Sequence, residues 1–243
     1  MAAEPLKLIG LLSRRPDLSL AQFAQHWRTT HRDLSLRLIA PGIMDGYVQN
    51  HRLSEGGEIA GLPCAGDGFP ELWTSGADLL KRLASAPEYL EGAYLDEGNF
   101  MDGRSQALLL RQQVIDDGPG RVAATLLFKV MLFFRRDPGL AREAFAPAFL
   151  RPHHPLLLPD GPRPARLTRH VAVELPGDAG AAYVGVQTYD GVEASYWPDL
   201  AAFRAAWSGQ SAAPAGLIDP AATVGVIVRE EPVLFTQHIQ DAA

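Results

Sequence analysis

Apolar and polar positions change period along the chain. The run from Leu6 to Ser13 is apolar almost throughout, as a buried strand requires. From Ser19 onward, at about 100° per residue, Leu20, Phe23, Trp27, Leu34 and Leu38 form one apolar stripe, which predicts an amphipathic helix over 19–39. Ser19 suits the N-cap, and Gln22 at the third helical position completes a capping box. Strands are expected at 47–53 and 69–74, a helix from about 78 with an interruption near Pro87, and a last strand at 107–115. This βαββαβ order is that of the ferredoxin-like unit. Its helices cover one sheet face, so the other face needs a partner.

The pattern then repeats. "KLIGLLSRRPDLSLAQFAQHWRTTH" from Lys7 parallels "FKVMLFFRRDPGLAREAFAPAFLRPHH" from Phe128. Arg14 and Arg15 fall on Arg135 and Arg136. One residue inserted in the second turn then sets Phe23, Trp27 and His31 on Phe145, Phe149 and His153. Further on, "DGFPELW" answers to "DGVEASYW", and "LLRQQVI" to "IVREEPVL". The expected architecture is an α+β fold of two tandem ferredoxin-like βαββαβ repeats, residues 1–118 and 119–243. They would close on each other as an intramolecular pseudo-dimeric α+β barrel. Gly118-Pro119-Gly120 is the natural linker. The prolines of Leu158–Arg166 should shorten or break the first helix of the second repeat.

Composition narrows the partners. The chain has 243 residues, 47% hydrophobic and 21% charged, with a net charge of −6 and no basic patch beyond the two Arg-Arg pairs, which argues against nucleic acid. A single cysteine, Cys64, allows no intramolecular disulfide and no CxxC motif. The sequence has no apolar run long enough to span a membrane and no signal-peptide pattern, so the expected location is cytoplasmic.

Several side chains could carry chemistry. His31 falls inside the apolar stripe, so it should be buried or line a cleft; His26 falls on the flank, nearer solvent. A histidine so placed is either a core residue bonded to backbone or carboxylate, or a proton-transfer group. The second copy keeps the Phe-x3-aromatic-x3-His spacing but has Ala148 where His26 would be. Phe69, Glu71 and Trp73 share one strand face, setting a carboxylate between two rings. Glu71 could orient an imidazole, act as a base with a raised pKa, or bond one of the paired arginines. Tyr47, Gln49 and His51 share a face of the second strand, with Asn50 opposite; they line a cleft or, as expected of an edge strand, face solvent. Lys129 interrupts an apolar strand, and either snorkels or holds a lowered pKa in a cleft. Tyr196 and Trp197 parallel the Glu71–Trp73 segment. His153 and His154 lack a third ligand at suitable spacing, so no metal is expected.

The stretches "KLIGLLSRRPDLSLAQFAQHWRTTH", "GYVQNHRL" and "FPELW" resemble the EthD family of dimeric α+β barrel proteins, most specifically in the His-Trp-x3-His run. The resemblance implies a tandem EthD protein in which the usual homodimer is fused into one chain, with a cleft near His31. Barrel relatives include cyclases, dehydratases, isomerases, monooxygenases and haem enzymes. With no Gly-rich nucleotide loop and no nucleophile elbow, the expected function is a cofactor-free isomerase, cyclase or lyase acting on a small hydrophobic aromatic or polyketide-like metabolite. His31 would be the acid/base, oriented by Glu71 and flanked by His26. Trp27, Tyr47, Asn50, His51, Trp73, Lys129, His153 and Tyr196 would bind the substrate. The first copy would work and the second serve as scaffold; a further homodimer of fused barrels stays open. The alternatives are a carrier of an apolar metabolite, or a haem- or O2-dependent oxidase with His31 or His153 near the iron.

Overall fold

A computed structural model of the chain describes residues 6–74, 79–118, 126–158, 162–173, 188–208 and 213–235. The proposed boundary after residue 118 and most of the linker lie outside these residues, as do 159–161 of the proline-rich stretch.

The first half supplies β1 (Leu6–Leu11), β2 (Gly46–Arg52), β3 (Gly68–Thr74) and β4 (Gln106–Asp116). The second supplies β5 (Phe128–Phe134), β6 (Arg166–Ala172), β7 (Gly191–Trp197) and β8 (Val224–Phe235). They close into one antiparallel barrel in the order β1-β3-β2-β8-β5-β7-β6-β4. Within it the first half reads β4-β1-β3-β2 and the second β8-β5-β7-β6, the same order twice. The halves join along β2·β8 and β4·β6, so no strand is left at an edge. This corrects the expected placement of β2: Gln49 and His51 are buried between two paired neighbours rather than facing solvent.

Ser19 caps the first helix with the full capping box on Gln22. The helix runs as α1 (Leu20–His26), a π turn (Trp27–His31), α2 (Arg32–Ser35) and a 3-10 turn (Leu36–Leu38). After β3 come α3 (Leu79–Ser85), a second π turn (Tyr89–Ala93) and α4 (Tyr94–Phe100). The second half has a shorter first helix, α5 (Arg142–Leu150), with Pro147 inside it, and α6 (Leu200–Ser208). No helix among the described residues is long and apolar enough to cross a membrane.

Strand alternation divides the barrel wall into two faces. Ile9, Leu11, Phe69, Leu108, Leu110, Met131, Phe133, Val192, Val226 and Val228 form the apolar core inside the barrel. At the same inward face stand Lys7, Glu71 and Lys129, with Glu71 accepting from Lys7 Nζ (2.7 Å), from Lys129 Nζ and from Asn50 Nδ2 (3.1 Å). Lys129 also donates to Glu230 (2.6 Å), which accepts from the Tyr196 hydroxyl (3.0 Å). Buried charges persist only when paired in this way. Lys129 and Glu71 come from different halves, so the network ties the two together across the barrel.

The two halves superpose in register more simply than their strings align. Lys7 pairs with Trp73 as Lys129 pairs with Tyr196, and Ile9 with Glu71 as Met131 with Ala194. The backbone amides of Arg14 and Arg136 donate to Asp67 and Asp190 respectively. Arg14 therefore corresponds to Arg136, not Arg135, and no inserted residue is needed before Phe145. The doubled arginine masked a shift of one residue.

Candidate active site

On the outer face of the first half, a cleft of about 570 Å³ opens between the sheet and its helices. Leu8, Pro70, Leu72 and Tyr47 form its floor; Trp27, His31 and Ser35 come from one helix, Tyr89, Tyr94 and Glu97 from the other. Gly68 allows the helix to lie this close, since a Cβ there would meet Trp27 Cζ3 at 2.6 Å.

His31 is held by Asp96, with Nδ1 to Oδ2 at 3.1 Å. His26 bonds the same carboxylate, Nε2 to Oδ1 at 2.9 Å, and Asn99 Nδ2 donates to it at 3.0 Å. Both imidazoles pack on Phe100, at 5.2 and 4.8 Å between ring centroids. His26 is 28% and His31 11% exposed, so the first meets solvent and the second the cleft. Burial alone would raise the Asp96 pKa, but the hydrogen bonds from His31, Asn99 and His26 carry it well below the usual carboxylate range. An ionised Asp96 accepts Nδ1–H from His31 and leaves Nε2 as the lone pair, the tautomer a general base needs.

Glu97, the next residue, is pushed up to about 7 by burial, with His31 opposing and the Asp96 charge adding to the rise. It accepts a 2.6 Å hydrogen bond from the Tyr89 hydroxyl. A raised carboxylate beside an oriented imidazole is the pattern of acid/base sites.

Behind the cleft lies a polar chain. Trp27 Nε1 (3.0 Å) and Gln49 Nε2 (2.9 Å) both donate to the Tyr47 oxygen, and Gln49 Nε2 also donates to the Trp27 carbonyl (2.9 Å). Gln49 Oε1 is bonded by His51 Nε2 at 3.0 Å. Burial lowers the His51 pKa to about 4 against the pull of Glu231, and raises that of Tyr47 to about 12 against its hydrogen-bond partners Gln49, Trp27 and Ser35.

The structure thus splits the residues singled out from sequence. His31, Trp27 and Tyr47 line the cleft, His26 flanks it, and His51 supports it from behind the Trp27 ring (centroids 4.6 Å apart). Glu71, Asn50, Trp73, Lys129 and Tyr196 belong to the barrel interior, where Lys7 Nζ sits 4.2 Å from the Trp73 centroid. Glu71 does not orient His31: Pro70 and Leu72 face the cleft, so the residue between them faces away. Asp96 holds that place, and sequence reading missed it together with Glu97. The available signal was an acid pair inside a helix whose Tyr89, Ala93 and Phe100 mark an inward face.

In the second half the equivalent space is filled. Phe149 replaces Trp27, Leu167 replaces Tyr47, and Leu156, Leu157 and Leu158 join the core there. Because α5 stops at Leu150, His153 stands exposed past its end, away from the cleft of the first half. Arg169, buried and paired with Glu193 at 2.8 Å, donates to the carbonyls of Phe149, Pro152 and His154 and pins this segment to the sheet. Among the described residues no group of three or more His, Cys, Asp and Glu is arranged to hold a metal ion.

Fold and cleft define an α+β barrel protein with an open cleft on its first half. Residues 15–104 match the EthD domain family model. No curated protein matches the sequence. Among solved structures, the chain is similar to an anthrone oxidase-like protein (TM-score 0.56, 10% identity, covering 94% of this chain and 93% of the other). It is also similar to a monooxygenase-like protein from Lactobacillus acidophilus NCFM (TM-score 0.52, 8% identity, covering 96% and 97%). At such identities the likeness is one of fold.

Proposed function

We propose that this protein is an acid/base enzyme that moves a proton next to a carbonyl or phenolic group of a small hydrophobic aromatic or polyketide-like metabolite. The observation that carries the reading is His31: its ring lines an aromatic-walled cleft while Asp96 takes its Nδ1, leaving Nε2 toward the ligand. Glu97 is the second proton-transfer group, and Trp27, Tyr47, Tyr89 and Tyr94 wall the ligand. The reaction class is isomerisation, cyclisation or elimination. The two halves are read as tandem ferredoxin-like repeats, 1–118 and 119–243, the first working and the second scaffold.

The solved relatives carry oxidase and monooxygenase names, and oxygenation of an activated aromatic carbon begins with the same proton removal. An oxygen electrode separates the two outcomes. The decisive experiment starts from the small molecules released on denaturing the purified protein, identified by mass spectrometry and offered back as substrates. Turnover that falls by about 10²-fold or more in His31→Ala, with unchanged circular dichroism, supports the reading. Turnover that survives the change ends it, and binding with no turnover of any candidate favours a carrier.

A further inference from the structure

The polar chain behind the cleft has a direction. The indole N–H of Trp27 can only donate. Gln49 must present its amide nitrogen to the Trp27 carbonyl, which only accepts; its second N–H then points to the Tyr47 oxygen. His51 closes the chain by donating Nε2–H to Gln49 Oε1, consistent with a neutral ring. The Tyr47 oxygen therefore receives two N–H donors, at 3.0 and 2.9 Å, and both its lone pairs are engaged. Its hydroxyl can act only as a donor. Ser35 is its neighbour on the cleft wall. The Tyr47 hydroxyl itself offers a hydrogen and accepts none from a ligand.

In the same cleft, His31 Nε2 offers a lone pair. Resting on the acid/base reading above, we propose that Tyr47 is the oxyanion donor of this site and that it recognises substrates whose reacting oxygen accepts a hydrogen bond: an aryl ketone, or the enolate or phenolate formed from it. In the step this assigns, His31 Nε2 takes a proton from the carbon next to the carbonyl. The C–H electron pair becomes the enolate C=C bond, the carbonyl π pair moves onto oxygen, and Tyr47 O–H stabilises that oxygen. Donors preset for the developing charge need no rearrangement during the step.

The test uses the full chain and two probes of one shape: 2-acetonaphthone, and 2-isopropenylnaphthalene, in which CH2 replaces the oxygen. The two-ring size suits a cleft of about 570 Å³. Wild type should bind the ketone roughly tenfold more tightly than the alkene, and Tyr47→Phe should abolish that preference while leaving alkene affinity unchanged. In D2O, wild type should exchange the methyl protons of the ketone, seen by NMR. His31→Ala should stop exchange but keep the ketone preference. Equal binding of the two probes by wild type, or a preference that survives Tyr47→Phe, overturns the Tyr47 assignment. Ketone preference without any enzyme-dependent exchange overturns the acid/base reading instead. Should Tyr47→Phe fail to fold, the carbonyl stretch of bound 13C=O-labelled ketone in wild type decides: a shift to lower wavenumber than in hexane supports the donor, and an unshifted band refutes it.

Discussion

His26 and His31 bond one carboxylate, Asp96, although they stand five positions apart on a single helix. On a regular α-helix with 3.6 residues per turn such a pair would point in well-separated directions. The π turn at Trp27–His31 removes the conflict. There the Arg32 amide reaches back to the Trp27 carbonyl, and a turn closed by i→i+5 bonds stacks residues five apart. The opposing helix carries a second π turn, Tyr89–Ala93, just before Asp96 and Glu97. Both widened turns flank the cleft, as such turns often do at functional sites.

Asp96 should stabilise the fold as well as the site. A carboxylate held below its ordinary value of 3.8 contributes stability above that pH and loses it as the pH falls through and below it. Asp96→Asn should lower stability near pH 7 by about 1–2 kcal/mol and flatten the acid limb of the curve. Urea melts of both proteins between about pH 3 and 7 check this.

Glu97 has the opposite sign. Its pKa rises from 4.5 to about 7 on folding, so the stability tied to it is present in full below pH 4.5 and lost as pH rises through about 7. Glu97→Gln should match wild type near pH 4 and exceed it by about 1–2 kcal/mol near pH 8. Thermal melts at the two pH values are sufficient. Activity should lose its limb near pH 7 in the same variant.

Glu71 should prove a residue of stability. Truncation to Ala takes the shared carboxylate from Lys7 and Lys129 inside the barrel, and breaking a buried pair typically costs about 3–5 kcal/mol. The residual folded protein at low temperature should keep its ligand affinity, because the carboxylate faces away from the cleft. Loss of turnover in folded Glu71→Ala, measured beside His31→Ala, would reverse that assignment.

Gly68 and Gly191 occupy equivalent positions under the first helix of each half, each against two aromatic rings. Alanine at either should cost about 1–3 kcal/mol by overpacking. The consequences differ: Gly68→Ala displaces Trp27 and should also weaken cleft binding, whereas Gly191→Ala presses on Phe149 and Phe145 and should lower only the melting temperature. Calorimetry with and without a cleft ligand separates the two.

Periodicity and internal similarity were enough to read the strand and helix order, the capping box on Ser19, the shortened helix before the prolines and the inward position of His31. These are local properties, decided by the alternation of apolar side chains and by chain chemistry within a few residues. Which face of each strand meets which neighbour is not local. Glu71 and Trp73 were correctly placed on one face, yet only barrel closure decided that this face looks inward at Lys129 rather than outward at His31. The partnership of His31 with Asp96 depends on two π turns, and an assumed 100° per residue conceals them. The sequence by itself determined the order of strands and helices and their buried positions, because hydrophobic burial leaves a periodic trace. The tertiary structure alone decided which polar groups meet, because hydrogen bonds between distant segments leave none.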